Sequence, residues 1–344
     1  MDARFAYVGG GLLEDKILGN EFTYGIIAKQ QNPWTIYRSG SALRRLVKRE
    51  SIDLIHAHLS FDHWLARLAA RGTRKVVRTF HARRSIRDDM PTRDLLNSTH
   101  GIAVVNDTFV HQKLIRNRKV WFTPPPVDLE EFTSAGPSAR TILGVAEGTP
   151  LFGVIGKIAP ERGFEQAFEA FSGLRAAVPS ARLLVVGEGP HRPELDRISR
   201  SLGIADSVIW AGYHEQGLAA YYRAMDAMFF TAPGSDEGHR AVLEAMACGT
   251  PVVSFPIDGM TAVLGSLSPA LISPRPEPRA LGSTAAALFL EGKSAELRTA
   301  CVSEAVKFGF TAAASRLERL YDEVAGGPRN EPERVSAEAN AQTG

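Results

Sequence analysis

Residues 151–187, LFGVIGKIAPERGFEQAFEAFSGLRAAVPSARLLVVG, place two short apolar segments on either side of a glycine-bounded polar turn and a helical pattern. The pattern predicts a strand ending at Gly156, a helix over residues 163–177 and a second strand over residues 181–187. Strand, helix and strand in this order form a βαβ unit, whose strands run parallel. The rhythm continues with a helix over residues 191–202, the strand SVIWAG, a helix through Tyr221 and Tyr222, the strand AMFF, a helix from Arg240 to Cys248 and the strand PVVSF.

The other half of the chain repeats the pattern. Strands are predicted at Phe5 to Val8, Asp53 to His56, Lys75 to Phe80, Ile102 to Val105 and Val120 to Thr123, with helices at 41–49, 61–71 and 107–116. Pro124, Pro125 and Pro126 then stop any regular element, and the polar stretch from Thr133 to Thr141 reads as a linker. The expected fold class is therefore α/β: two Rossmann-like doubly wound domains, residues 1–138 and 139–310, facing a central cleft. A C-terminal helix over 311–325 follows, and the tail 326–344 lacks hydrophobic periodicity and is expected to be disordered. In sheets of this kind ligands sit beyond the carboxyl ends of the strands.

At 344 residues the chain is long enough for two cores, and 44% hydrophobic with 23% charged residues is a globular composition. It shows neither a secretion signal nor an apolar run long enough to span a bilayer, so the expected location is cytoplasmic. Two cysteines, Cys248 and Cys301, are too few for a disulfide framework and read as small buried hydrophobes. The net charge of +2 conceals an asymmetry: residues 1–140 carry 22 Lys and Arg against 14 Asp and Glu. Clusters such as Arg38, Arg44, Arg45, Lys48 and Arg49 suit either solvated helix faces or peripheral contact with an anionic membrane, at its inner face, or with phosphorylated acceptors. They lack interleaved aromatics and any recognised module, which argues against nucleic acid.

Chemistry concentrates at predicted strand ends. In residues 231–253, TAPGSDEGHRAVLEAMACGTPVV, Asp236 and Glu244 bracket a helix whose first free N–H groups, after the polar turn Gly234 to Gly238, suit an anion. Carboxylates for hydroxyl groups beside a phosphate nest suggest a nucleotide-linked sugar; a capped amphipathic helix is the plainer alternative. Gly156 to Gly163 sets Lys157 and Arg162 around a tight turn, either to stabilise a diphosphate or as ordinary surface charges. Gly187-Glu188-Gly189-Pro190 and Gly212-Tyr213-His214 allow close backbone approach, as would plain strand-to-helix turns. Three histidines, His56, His58 and His81, follow strands of the first half without metal-ligand spacing. His56 reads as structural and His81, followed by Arg83 and Arg84, as the better cleft residue.

Taken together, GKIAPERGFEQAFEAF, LLVVGEGPHRPEL, VIWAGY and SDEGHRAVLEAMACGTPVV resemble the family 4 glycosyltransferases of the GT-B fold, over residues from about 52 to 325. The resemblance implies a nucleotide-sugar donor held by the second domain, acceptor binding by the first, and net retention at the anomeric carbon without a metal or any cofactor. It places Glu244 on the donor ribose, Asp236 on donor-sugar hydroxyls, Lys157 and Arg162 on the diphosphate, and His81 near the transferring sugar. Gly156, Glu188, Gly189, Gly212, Tyr213, Gly238, Arg240 and Ala241 would complete the donor site, the last two through backbone amides. The cations stand in the order opposite to the family's usual Arg then Lys, and Asp236-Glu237 replaces the usual Glu-Gly. The start is also short by roughly one βαβ unit. The function expected is transfer of a sugar from a UDP- or GDP-sugar to a hydroxyl of a glycan or lipid-linked acceptor. Two other readings stay open: a nucleotide-sugar-binding protein without transfer, and a sugar-nucleotide isomerase.

Overall fold

A computed structural model describes residues 3–8, 22–27, 32–232, 236–292 and 294–326. The chain forms two compact units, Met1–Thr123 with Ala314–Gly344, and Pro124–Ala313. The division thus falls at Thr123, ahead of the boundary at 138 expected from the polar stretch. Its physical cause is burial: Val127, Phe132 and Ala139 belong to the core of the second unit, and the Arg223 guanidinium donates to the carbonyls of Thr133 and Pro137 at 2.8 and 2.9 Å.

In the first unit β1 (Phe5–Val8) pairs in parallel with β2 (Thr23–Ile27), and α1 (Pro33–Arg49) follows. This strand and helix occupy part of the stretch that the sequence reading found short. A four-stranded parallel sheet takes β3 (Leu54–Ala57), β4 (Lys75–Phe80), β5 (Gly101–Val104) and β6 (Val120–Phe122) in chain order, with α2 (Ser60–Ala70) and α3 (Met90–Asn97) between its strands. Helix α1 starts eight residues before its predicted position because Asn32 and Thr35 form a reciprocal cap ahead of Pro33. Conversely, the helix expected at 107–116 is only a 3₁₀ turn over Asp107–His111. There the Asn106 side chain accepts hydrogen bonds from Thr108 N and Oγ1, which offers the backbone a local alternative to helix.

The second unit alternates β7 (Leu151–Ile155), α4 (Phe164–Arg175), β8 (Arg182–Val186), α5 (Arg192–Ser201), β9 (Val208–Gly212), α6 (Leu218–Ala224), β10 (Ala227–Phe230), α7 (Asp236–Ala247) and β11 (Val252–Ser254). Helices α8 (Met260–Leu264), α9 (Ser268–Leu271), α10 (Pro278–Leu290) and α11 (Ser294–Val306) follow, and then α12 (Phe310–Ala325), whose residues from Ala314 belong to the first unit, where Leu320 and Val324 pack with Val77 and Ala103. Helix α12 is the predicted C-terminal helix; residues 327–344 of the tail lie outside the described residues. All neighbouring strands are parallel, in the order β11-β10-β7-β8-β9. Both faces are covered: Phe152, Val154, Leu183 and Val185 pack on one side and Leu151, Leu184, Val186 and Met228 on the other, which is why these strands read as continuous apolar runs. Cys248 and Cys301 are buried in the second of these cores, and desolvation pushes both thiols up to about 12.

Beyond the strand ends the backbone stays knitted. Gly156 N donates to Val186 O at 3.0 Å and Gly187 N to Gly212 O at 2.8 Å. Gly187 has φ of +136°, and a Cβ there would lie 1.9 Å from Gly156 O. Gly187→Ala is therefore expected to lower stability by about 2 kcal/mol or more, through backbone strain and a clash with a fixed carbonyl. Denaturant unfolding measures it, and a variant as stable as the parent would contradict the close approach.

Candidate functional site

Strand order in the second unit reverses between β7 and β10, since the chain winds outward one way through β8 and β9 and the other way to β11. In doubly wound sheets such a switch point, at the carboxyl ends of the two strands, is where ligands bind. The loops leaving these two strand ends carry the strongest sequence candidates. After β7, Lys157 is exposed and Arg162 half-buried in a 3₁₀ turn over Pro160–Arg162. After β10, Thr231 Oγ1 donates to Gly163 O at 2.6 Å and ties the two loops together. Gly163 has φ of +73°, and a Cβ there would lie 2.6 Å from Thr231 O, so this junction also requires glycine.

Helix α7 leaves the β10 loop and carries Glu244, which is 7% exposed. Its two carboxylate oxygens are held differently. Oε2 accepts a hydrogen bond at 3.0 Å from the hydroxyl of Tyr222 on α6, a fully buried residue. Oε1 pairs at 2.9 Å with Nε of Arg240, one turn earlier, whose side chain is 67% exposed. The Tyr222 donor is buried with its acceptor, whereas the Arg240 guanidinium reaches the carboxylate from solvent, on a side chain that water can also serve. The Tyr222 contact is thus the fixed one and the Arg240 contact the exchangeable one. Burial pushes the Glu244 carboxyl above the usual carboxylate range, while the Tyr222 hydrogen bond and the Arg240 charge pull it back. The Tyr222 phenol is raised well above its ordinary value by burial and then by the adjoining carboxylate. Ala241 is half-buried beside Arg240 on α7. The side chain of Asp236 lies outside the described residues; Gly238 belongs to the first turn of α7.

Neighbouring strand ends contribute further candidates. Ile158 N donates to Glu188 O at 2.9 Å, which seats the loop carrying Glu188 and Gly189 against the one carrying Gly156 and Lys157. Glu188 is exposed, with its Oε1 3.7 Å from where a Cβ would stand on Gly212. Tyr213, next along, is exposed. Sequence reasoning brought out all these loops but missed Tyr222 as the holder of Glu244. It also assigned Arg240 through its backbone alone, although the spacing of four between Arg240 and Glu244 was a legible signal.

In the first unit the three histidines meet at the carboxyl ends of β3 and β4. His56 is structural, as expected: Nδ1 lies 2.6 Å from the Tyr321 hydroxyl and Nε2 2.7 Å from Thr79 Oγ1. His58 Nδ1 lies 3.0 Å from His81 Nε2, so one of the two rings donates and the other accepts, and the rings stack. This pairing joins His58 to the predicted His81. Beneath them Arg78 is 1% exposed, with its guanidinium over the Phe80 ring; its Nε and Nη1 have no hydrogen-bond partner among the described residues. Burial first, and Arg78 among the neighbouring charges, hold the imidazoles neutral: His56 falls to about 3, His63 and His81 to about 4. Among the described residues no group of three or more His, Cys, Asp or Glu could hold a metal ion.

Comparison with known proteins gives a consistent assignment. Residues 137–308 match the glycosyl transferases group 1 family, and residues 5–131 match Glycosyltransferase Family 4. A 2-deoxystreptamine N-acetyl-D-glucosaminyltransferase of Streptomyces fradiae is 32% identical over 146 residues, 40% of this chain and 34% of that protein. A D-inositol 3-phosphate glycosyltransferase of Segniliparus rotundus is 32% identical over 212 residues, 59% of this chain and 47% of that protein. The matched segment thus spans less than half the length of either relative. Among solved structures, a glycosyltransferase from Rickettsia africae superposes with a TM-score of 0.80 at 15% identity, covering 94% of this chain and 90% of that one. HepE of Anabaena in complex with UDP gives 0.75 at 17% identity, covering 92% and 91%. Identities this low carry the fold alone: two Rossmann-like domains of GT-B type.

The buried histidines make the first unit acid-sensitive. Their folded values lie below the ordinary 6.5, so the unfolded chain binds more protons as pH falls through about 6.5. The stability of burying them neutral is present above that pH and is lost progressively towards about pH 4. The unfolding midpoint is expected to drop over this window, and less steeply in His63→Gln. Ring-proton NMR should find His63 and His81 unprotonated at about pH 6; ordinary titration of either would contradict their burial.

Proposed function

The chain belongs to the glycosyl transferases of group 1, and from that membership we propose that it moves a sugar from a UDP- or GDP-sugar to an acceptor hydroxyl with retention at the anomeric carbon. One observation carries the reading: at the switch point of a doubly wound sheet, a buried carboxylate, Glu244, stands on the helix that leaves one loop while two cations stand on the loop opposite. Glu244 takes the donor ribose, and Lys157 and Arg162 with the N–H groups opening α7 take the diphosphate. Asp236 holds the transferring sugar. The bond from the anomeric carbon to the phosphate oxygen breaks as the acceptor oxygen bonds to the same face, and the hydroxyl proton passes to the departing phosphate. Two cations and a helix N-terminus stabilise the charge that develops on that phosphate, so the reaction proceeds without a metal ion or cofactor.

The relatives are named for cyclitol acceptors, and another, from Streptococcus pneumoniae, is an alpha-monoglucosyldiacylglycerol synthase, 25% identical over 63% of this chain. The acceptor proposed here is a polyol, glycan or lipid-linked hydroxyl. Peripheral membrane contact fits helix α1, which carries Arg38, Arg44, Arg45, Lys48 and Arg49 without an acidic residue. Trp34 and Tyr37, 65% and 66% exposed, share a helix face with Arg38, Arg45 and Lys48 and suit a headgroup layer. No described helix is long and apolar enough to cross a membrane.

Incubation with a panel of UDP- and GDP-sugars and acceptors is expected to release one nucleoside diphosphate, unaffected by a chelator. Binding of a donor without release or transfer under any condition would exclude the transferase. In Lys157→Met/Arg162→Met the transfer rate should fall by about 10²-fold or more. Sedimentation with phosphatidylglycerol vesicles should carry the protein down at low salt, and phosphatidylcholine vesicles should not. Reversing Arg38 and Arg45 to Glu should abolish the difference; unchanged sedimentation would remove α1 from the contact.

A further inference from the structure

Glu244 does not present an open carboxylate. Tyr222 holds Oε2 from within the core, and Arg240 covers Oε1 from the surface side. A ribose hydroxyl that reaches for Glu244 meets the Arg240 guanidinium first. Displacing it with a neutral nucleoside would leave Arg240 without its counter-charge and gain only hydroxyl hydrogen bonds. A diphosphate changes the balance, because it offers Arg240 a more highly charged acceptor in a geometry that guanidinium matches. Arg240 lies one turn along α7 from its start at Asp236, close to the N–H groups that favour an anion. The pair is half-buried: Arg240 reaches it from solvent, so the guanidinium can leave Oε1 when a more highly charged anion takes it and hydroxyl donors replace it on the carboxylate.

We propose that the Arg240–Glu244 ion pair is a latch opened by phosphate: when the donor binds, the Arg240 guanidinium transfers from Oε1 of Glu244 to the donor diphosphate, and the freed oxygen accepts the ribose hydroxyls. Ribose recognition is then conditional on a diphosphate. Tyr222 is the positioning residue that keeps the carboxylate in place while its other partner leaves. The latch rests on the reading of Glu244 as the ribose ligand. It adds that a side chain, in addition to backbone amides, selects nucleoside diphosphates over nucleosides. The exchange involves no covalent change: the guanidinium moves from one anion to another, and the Glu244 carboxylate keeps the Tyr222 hydrogen bond and gains those of the ribose hydroxyls in place of the cation.

The experiment titrates uridine and guanosine, with and without inorganic pyrophosphate, and UDP and GDP, against the wild-type chain and Arg240→Met. The methionine retains an unbranched stem at this exposed position, and an unchanged unfolding midpoint confirms folding; Arg240→Lys tests retention of charge. In the wild type pyrophosphate should tighten nucleoside binding severalfold, a positive coupling between the two ligands. Arg240→Met should bind nucleoside more tightly without pyrophosphate, lose the coupling, and bind the nucleoside diphosphate about tenfold or more weakly. Arg240→Lys should fall between. Absence of coupling in the wild type, or coupling that survives in Arg240→Met, overturns the latch. Failure of the underlying reading looks different: neither UDP nor GDP binds, or the 2′,3′-dideoxy diphosphate binds as tightly as the parent and Glu244→Gln changes nothing.

Discussion

Backbone approaching backbone without a Cβ between them is the constraint on which the rest of the second unit depends. At Gly187 the space for a side chain is taken by the carbonyl of Gly156, and at Gly163 by that of Thr231. Hydrogen bonds continue across these points, from Gly156 to Val186, from Gly187 to Gly212 and from Thr231 to Gly163. Loops that would otherwise behave as separate surface turns therefore share one rigid framework. Rigid placement matters because charges act on a developing anion only when they are held there in advance.

A second feature is the unequal support of two carboxylate oxygens. Tyr222, buried and hydrogen-bonded, fixes Glu244 from the core side, and Arg240 meets it at the surface. Burial raises the carboxyl's pKa, and its two partners oppose that rise. The first unit solves a similar problem differently. Its buried guanidinium, Arg78, lies over the Phe80 ring and among histidines held neutral. The His58–His81 hydrogen bond requires at least one of the two rings to be neutral, since two imidazolium rings could not share it.

Most of the secondary structure was legible from residue order. Strands such as Lys75–Phe80 and Leu151–Ile155 are covered on both faces, so they show as unbroken apolar runs. Departures have local causes. Helix α1 begins early because Asn32 and Thr35 cap it, and residues 107–116 stay out of helix because Asn106 captures Thr108. The boundary moved to Thr123 because a polar-looking stretch hides Val127, Phe132 and Ala139 in the core. For the candidate site, spacing identified the loops and Glu244; Tyr222 stayed hidden because 22 residues and the strand β10 separate it from its carboxylate.

The sequence by itself determined the class of fold, the family, and the strand ends at which chemistry collects, since hydrophobic period and glycine position are properties of chain order. Tertiary structure alone decided which partners each group meets. That Glu244 is anchored by Tyr222, that His58 faces His81, and that the strand order reverses between β7 and β10 all depend on contacts between distant segments. The physical reason is that such contacts are fixed by packing on a twisted parallel sheet, and packing depends on every element at once.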